Sequence, residues 1–181
     1  MQENGLLERI RAATSQDIEA LHSLVNSAYR GESSRQGWTT EADFLDGQRV
    51  DPEGLLEIIE APQSTILVSE NSKGILTGCV HLRILPDGWC YLGMLTVAPA
   101  LQAKGLGKRL LEAAENWAKE HSCPGVRMYV IWLRLELIDY YRRRGYQLTG
   151  QREPFPYGSS RFGLPKRQDL HFVTLQKPLV N

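Results

Sequence analysis

The sequence predicts an α/β chain in which one mixed sheet is flanked by helices. Three observations carry that prediction. Residues 76–85 place Leu76, Gly78, Val80, Leu82 and Ile84 on one face and Thr77, Cys79, His81 and Arg83 on the other, and Pro86-Asp87-Gly88 turns this strand back into a second one over 89–97. A long amphipathic helix follows over 105–121. Beyond it the order is strand, helix, strands, which interleaves helices with strands instead of segregating them.

From the N-terminus, residues 7–13 read as a first strand. Thr14 and Ser15 offer an N-cap, and Asp17 and Glu19 favour the positive end of a helix over 16–29, where Ile18, Leu21, Val25 and Ala28 recur at helical spacing. Residues 30–51 are polar, glycine-punctuated and irregular. Pro52 suits the first turn of a short helix over 52–60, and 64–70 is a strand. In 105–121, Leu106, Leu110, Ala113, Ala114 and Trp117 make an apolar stripe, with Lys108, Arg109, Glu112, Glu115 and Lys119 opposite. Pro124-Gly125 ends that helix, 126–131 is a strand, and 134–144 is a helix with Leu137, Ile138 and Tyr141 on one face, stopped by Gly145. Residues 146–149 and 168–176 close the sheet around a loop rich in Pro and Gly. With no repeat and no low-complexity linker, 1–181 reads as a single domain.

Among the 181 residues, 21 Lys+Arg balance 21 Asp+Glu, which removes the basic excess that a dedicated nucleic-acid binder needs. A hydrophobic content of 42% excludes a disordered chain. Cys79, Cys90 and Cys123 are scattered, as in a reducing compartment. No apolar run approaches the roughly 20 residues that span a bilayer, and residues 1–8 lack the apolar core of a leader. The expectation is a soluble cytoplasmic protein with neither membrane nor nucleic acid as partner.

The most informative run is Leu95-Thr96-Val97-Ala98-Pro99-Ala100-Leu101-Gln102-Ala103-Lys104-Gly105-Leu106-Gly107-Lys108. A strand enters a glycine loop that opens a long helix, so several free amides and the helix dipole point at one spot, which suits a phosphate. Gly105 and Gly107 allow close approach. A P-loop would need glycine at 102 and Ser or Thr at 109, where the chain has Gln102 and Arg109. A dinucleotide fingerprint would need glycine in place of Leu110 and an early βαβ unit, whereas a hairpin comes first. The glycines alone also fit a helix that simply begins after a turn.

The longer pattern, Leu-x-Val-x-Pro followed by Gln-x-x-Gly-x-Gly, closely resembles the acetyl-CoA motif of the GNAT superfamily of N-acetyltransferases. The stretch Glu136-Leu137-Ile138-Asp139-Tyr140-Tyr141-Arg142-Arg143-Arg144-Gly145-Tyr146 is similar to that family's later helix, with its aromatic-Tyr pair and its Gly-aromatic ending. The resemblance covers 64–150 well and the flanks more loosely. It implies the GNAT fold, a mostly antiparallel sheet splayed at the strand that binds acetyl-CoA. It implies transfer of an acetyl group from acetyl-CoA to an amine, and a homodimer as the common assembly.

Carried over by residue, the resemblance puts the pyrophosphate of coenzyme A on the backbone of Gln102, Ala103, Lys104, Gly105, Leu106, Gly107 and Lys108. The pantetheine arm lies along the backbone of Leu95, Thr96 and Val97, where a bulge frees an amide for the thioester oxygen. Arg134 stands where the family often has Asn, so it reads either as a contact to the pantetheine or to a substrate group, or as a surface arginine. Tyr141 matches the family's helix tyrosine and holds a proton for the departing thiolate; the other reading is a core tyrosine beside Leu137 and Ile138. Arg142-Arg143-Arg144 reads first as a set of cations complementing a helix C-terminus, and second as a nucleotide-phosphate contact.

The attacking amine must be neutral, yet an alkyl ammonium of pKa about 10.4 is neutral only about one part in 10³ at pH 7, a cost of roughly 4–5 kcal/mol. Many family members place Glu or His on the strand before Leu95. Here Tyr91 stands at that place with Gly93 two residues on, and a phenol of pKa about 10 is a poor base. Glu136, Glu32 and His81 are the substitutes, acting directly or through water. Cys90 and Cys123 read as buried small hydrophobes, so direct attack without an acetyl-enzyme is expected.

In this family the region holding Arg30-Gly31-Glu32-Ser33-Ser34-Arg35-Gln36-Gly37-Trp38-Thr39-Thr40-Glu41 covers the acceptor. Glu32 and Glu41 suit a cationic amine, Arg30 and Arg35 a carboxylate or phosphate, and Trp38 beside Thr39 an apolar wall. The loop Pro154-Phe155-Pro156-Tyr157-Gly158 supplies the opposite wall. An amino acid or similar metabolite uses both signs of charge; a plain polar surface loop with Trp38 in the core is the other reading. No metal is called for. Two further functions stay open: acetylation of a protein or peptide, which wants an open groove, and a non-catalytic acyl-CoA-binding module.

Overall fold

The structure, a computed structural model, describes residues 8–161 and 163–180. Residues 1–7 lie outside the described residues; they include the start of the expected first strand and nearly all of the stretch read as lacking a leader. The elements are β1 (Arg9–Ala12), α1 (Ile18–Tyr29), α2 (Gly31–Ser34), β2 (Leu45–Asp46), α3 (Pro52–Glu60), β3 (Ser64–Glu70), β4 (Leu76–Ile84), β5 (Cys90–Val97), α4 (Leu106–Glu120), β6 (Gly125–Ile131), α5 (Leu135–Arg142), β7 (Gln147–Pro154), β8 (Leu164–Pro165) and β9 (His171–Pro178). Seven strands form one sheet in the order β1-β3-β4-β5-β6-β9-β7, with β5–β6 as its parallel pair and the remaining neighbours antiparallel. This is the predicted class: a mixed, mostly antiparallel sheet flanked by helices.

Period-two patterning explains the layers. Val80 and Leu82 of β4 pack with Leu106, Leu110 and Ala114 of α4 on one face, while Cys79, Ile66 and Val68 pack with Leu21, Val25 and Leu55 of α1 and α3 on the other. Burying each Leu, Ile or Val of these layers is worth about 1.5–3 kcal/mol. The stripe on α4 differs in part from expectation. Leu111 and Ala118 are buried in place of Ala113 and Trp117, because Trp117 covers the flank, stacked on His121 at 3.9 Å. Glu115, expected to face solvent, instead accepts hydrogen bonds from Lys177 (2.9 Å) and Tyr146 (3.0 Å).

Element ends differ where local geometry intervenes. Residues 15–17 tighten into a 3-10 turn, with the Thr14 amide donating to Asp17 at 2.8 Å, so α1 begins at Ile18. The irregular stretch 30–51 contains α2 and the two-residue β2, which pairs with β8 from the far end of the chain. β7 runs on past Thr149 through a register shift at Gly150, whose φ is +82°.

Two departures from regularity position the site. β5 and β6 pair only at Cys90–Val126 and Tyr91–Arg127 and then part. Between the Cys79–Thr96 and His81–Gly93 pairs, Met94 and Leu95 oppose Val80 alone, which makes a bulge with Met94 at φ 54°. The Met94 carbonyl turns inward and accepts from the Thr96 hydroxyl at 2.9 Å. The fully buried Thr96 side chain therefore holds the bulge in shape.

Candidate active site

The parting of β5 from β6 opens a cleft cavity of about 340 Å³, lined by Leu92 to Leu95 on one side and Met128 to Ile131 on the other. A second cavity of about 310 Å³ lies at the glycine turn. Tyr29, Leu95, Arg134, Leu137 and Tyr141 line both, so the two meet where the sheet is splayed.

The turn cavity is built by backbone conformation. Ala103 (φ 65°) and Gly105 (φ 85°) adopt left-handed angles, and among the described residues no side chain caps the first amides of α4. Ala103, Gly105, Gly107 and Lys108 line it; Lys104 is exposed and lines neither cavity, and Leu106 points into the core. Gln102 acts as a brace. Its amide nitrogen donates to Val97 O (3.0 Å) and Thr39 Oγ1 (2.9 Å), and its oxygen accepts from Trp38 N (2.9 Å). The bare α-carbon of Gly37 makes room for this amide, since a Cβ there would collide with it. Trp38 and Thr39, expected at the acceptor, are thereby drawn onto the turn cavity, where Trp38 packs on Tyr140 at 5.3 Å.

The far wall carries Arg143 and Arg144. Arg144 lies 3.5 Å over the Tyr140 ring, and its buried Nε has no hydrogen-bond partner among the described residues. Arg142, exposed beside Asp139, and Arg144, whose Nη1 donates to the last-turn carbonyl of Tyr140 at 2.9 Å, follow the first reading at the helix end. The run of arginines could not itself distinguish its inner from its outer members.

The cleft cavity is walled by a buried ion triad. Glu41 accepts from Arg30 Nη1 at 2.6 Å and from Arg134 Nη1 at 3.0 Å, and all three side chains are less than a tenth exposed. Arg134 also donates to Thr39 O at 2.6 Å. The surface reading of Arg134 is thus corrected: it is a buried strut that lines both cavities. Glu41 and Arg30 do face the cleft, as partners of one another. The Tyr29 hydroxyl donates to Leu95 O, so one carbonyl of the bulged strand is already engaged.

Tyr91 reaches along β5 until its hydroxyl fills the space that a side chain at Gly93 would occupy. Its ring stacks on Tyr129 at 5.9 Å and meets His81 edge-on at 5.5 Å. The three substitute bases are elsewhere. Glu136 and Glu32 are exposed and line neither cavity, and Glu32 pairs with Arg35 at 3.2 Å. His81 also lines neither; it shares a 3.1 Å hydrogen bond with Ser64, and burial pushes its pKa down to about 4. Among the described residues Glu41 is the cleft's one carboxylate. Burial raises the Tyr141 phenol well above its ordinary value, so it is protonated at neutral pH.

The sequence matches the acetyltransferase (GNAT) family over residues 18–146, well over half of the chain. The chain belongs to that family. A relative in Agrobacterium fabrum, acetyltransferase Atu2258, is 31% identical over 80 residues, which is 44% of this chain and 57% of that protein. The match thus spans less than two thirds of that relative's length. Among solved structures, an N-acetyltransferase from Staphylococcus aureus superposes with a TM-score of 0.72 at 12% identity, covering 97% of this chain and 99% of that one. The yncA protein of Salmonella typhimurium, whose structure contains its cofactor acetyl-CoA, gives 0.69 at 22% identity over 96% and 95%. These structural likenesses are of fold.

Several lining residues escaped the sequence reading. Tyr29, Arg49 and Tyr129 come from a helix end, an irregular loop and a sheet strand, with no shared spacing to link them. Tyr140 carried a signal in the aromatic-Tyr pair, but as a pattern mark and not as a wall.

Proposed function

We propose that the protein is an acyltransferase that moves the acetyl group of acetyl-CoA to the primary amine of a small molecule by direct attack. One observation carries the reading: a cavity built on uncapped helix amides meets a second cavity at a bulged strand end. The residues of the first fit coenzyme A. The amides from Gln102 to Lys108 suit a pyrophosphate, and Lys108, Arg143 and Arg144 suit the remaining phosphate charge. The Trp38–Tyr140 wall leaves a flat surface for the same ligand.

The bound thioester supplies an activated acyl carbon; the chain supplies position and proton control. The bulge at Met94 interrupts the ladder beside the shared wall, and the amides there suit the developing oxyanion. Tyr141 lies on that wall with its proton in place. Because a thiolate is a weaker base than a phenolate, Tyr141 keeps its proton and stabilises the departing sulfur by donating a hydrogen bond; the C–S bond breaks as the amide forms, and the proton shed by the attacking nitrogen goes to water. No unpaired carboxylate faces the cleft among the described residues, so the ammonium loses its proton to water. The buried cysteines Cys79 and Cys90 have thiols pushed up to about 12, which argues against an acetyl-enzyme. A cleft of about 340 Å³ has the size of a small-metabolite site.

The test is calorimetric titration with acetyl-CoA, followed by thiol release across amino acids, polyamines, aminoglycosides and peptides. Micromolar binding and turnover of at least one small amine are expected. Absence of acetyl-CoA binding overturns the reading; binding without turnover of any amine replaces it with the non-catalytic module.

A further inference from the structure

The charges on the cleft do not balance. Three guanidiniums, those of Arg30, Arg49 and Arg134, face it with one carboxylate, Glu41. Glu41 spends one oxygen on Arg30 and the other on Arg134. Arg49 makes no ion pair among the described residues; its guanidinium lies 5.7 Å from the centre of the Tyr29 ring. It is nevertheless held in place. The Asn26 side chain accepts from Arg49 N at 2.6 Å and donates to Val50 O at 3.1 Å, pinning the backbone of this loop to α1. A half-buried cation on a pinned backbone, beside two others, is unfavourable on its own. Burial lowers the Arg30 pKa, Glu41 opposes that shift, and Arg49 adds to it, so the two arginines sense each other's charge.

We infer that the acceptor amine carries a small oxyanion, a carboxylate or a group of like shape, and that Arg49 receives it inside the cleft. Arg30 reinforces the field from the adjoining wall. Glu41, tied to two arginines, selects nothing. This deepens the proposed acyl transfer and rests on it for the identity of the amine. A planar guanidinium supplies paired donors that match a carboxylate, whereas a neutral amide in its place leaves the cation unmatched. Discrimination between acid and amide then has the size of a lost charged hydrogen bond, roughly ten- to a hundredfold.

The experiment uses the full chain with acetyl-CoA. Thiol release is compared for each amino acid and its carboxamide, in the wild type and in Arg49→Gln. Acids are expected to exceed amides in kcat/KM by at least about tenfold, and Arg49→Gln is expected to erase that ratio while still binding acetyl-CoA. A second arm needs no turnover: calorimetry of the des-amino acids, which keep the carboxylate and lack the amine. They are expected to bind the wild type and to lose about tenfold or more in affinity to Arg49→Gln. If no amine is acetylated but the des-amino acids still bind through Arg49, acyl transfer fails and the anion site stands. Equal turnover of acids and amides, des-amino acids that bind both proteins alike, or binding to neither, overturns the inference.

Discussion

Replacing Glu41 by Gln isolates the buried triad. The carboxamide keeps the shape and one accepting oxygen, so a hydrogen bond from the cationic Arg30 survives, without the anionic partner that now lies 2.6 Å away. The new NH2 then faces the Arg134 Nη1 donor across the 3.0 Å that now holds an ion pair. Two guanidiniums less than a tenth exposed are left without their counter-charge. Breaking a buried pair in this way costs about 3–5 kcal/mol. With a urea m-value of about 2 kcal/mol per molar, the midpoint drops by about 1.5–2.5 M. Urea titration followed by circular dichroism reads this directly. Replacing all three members with apolar residues of similar volume is expected to cost less than Glu41→Gln alone, because no charge is then stranded. A midpoint drop below about 0.5 M for Glu41→Gln refutes the reasoning, since it places the triad in the range of a water-screened surface pair.

Tyr141→Phe is expected to lower kcat by about a hundredfold with the KM for acetyl-CoA unchanged, as steady-state thiol release will read; full kcat removes Tyr141 from the chemistry. His81 links stability to acid. Its pKa is depressed in the fold, from 6.5 to about 4, so the unfolded chain binds the proton more readily. The stabilisation is complete above pH 6.5 and declines as pH falls towards 4, by about 3 kcal/mol in all. Urea midpoints measured from pH 7.5 to 4 should fall less steeply in His81→Gln than in the wild type; parallel curves would contradict the assignment.

What the sequence made legible was local. The Pro86-Asp87-Gly88 hairpin, the alternation of β4 and the glycine turn before α4 each depend on residues within one or two turns of chain, and each is found where expected. Partners brought together by tertiary structure were not legible. Gln102 was read through its backbone, yet its side chain spans to Trp38 and Thr39, more than sixty residues away in sequence. Glu136 and Glu32 have the right chemistry for a base, but their sites on α5 and α2 turn them to solvent. Arg30 and Glu41 were recognised as charges of a single loop; that they pair with each other, and that Glu41 is shared with Arg134 from beyond the loop, depends on tertiary structure.

The fit of Tyr91 over Gly93 has a consequence for how such a strand can change through descent. Any side chain gained at 93 enters space already held by the phenol, and any shortening at 91 opens a void beside Tyr129. The two positions are sterically coupled. A lineage that moved a carboxylate onto this strand would have to trade both residues together, and the intermediate with only one exchanged would carry either a collision or a hole.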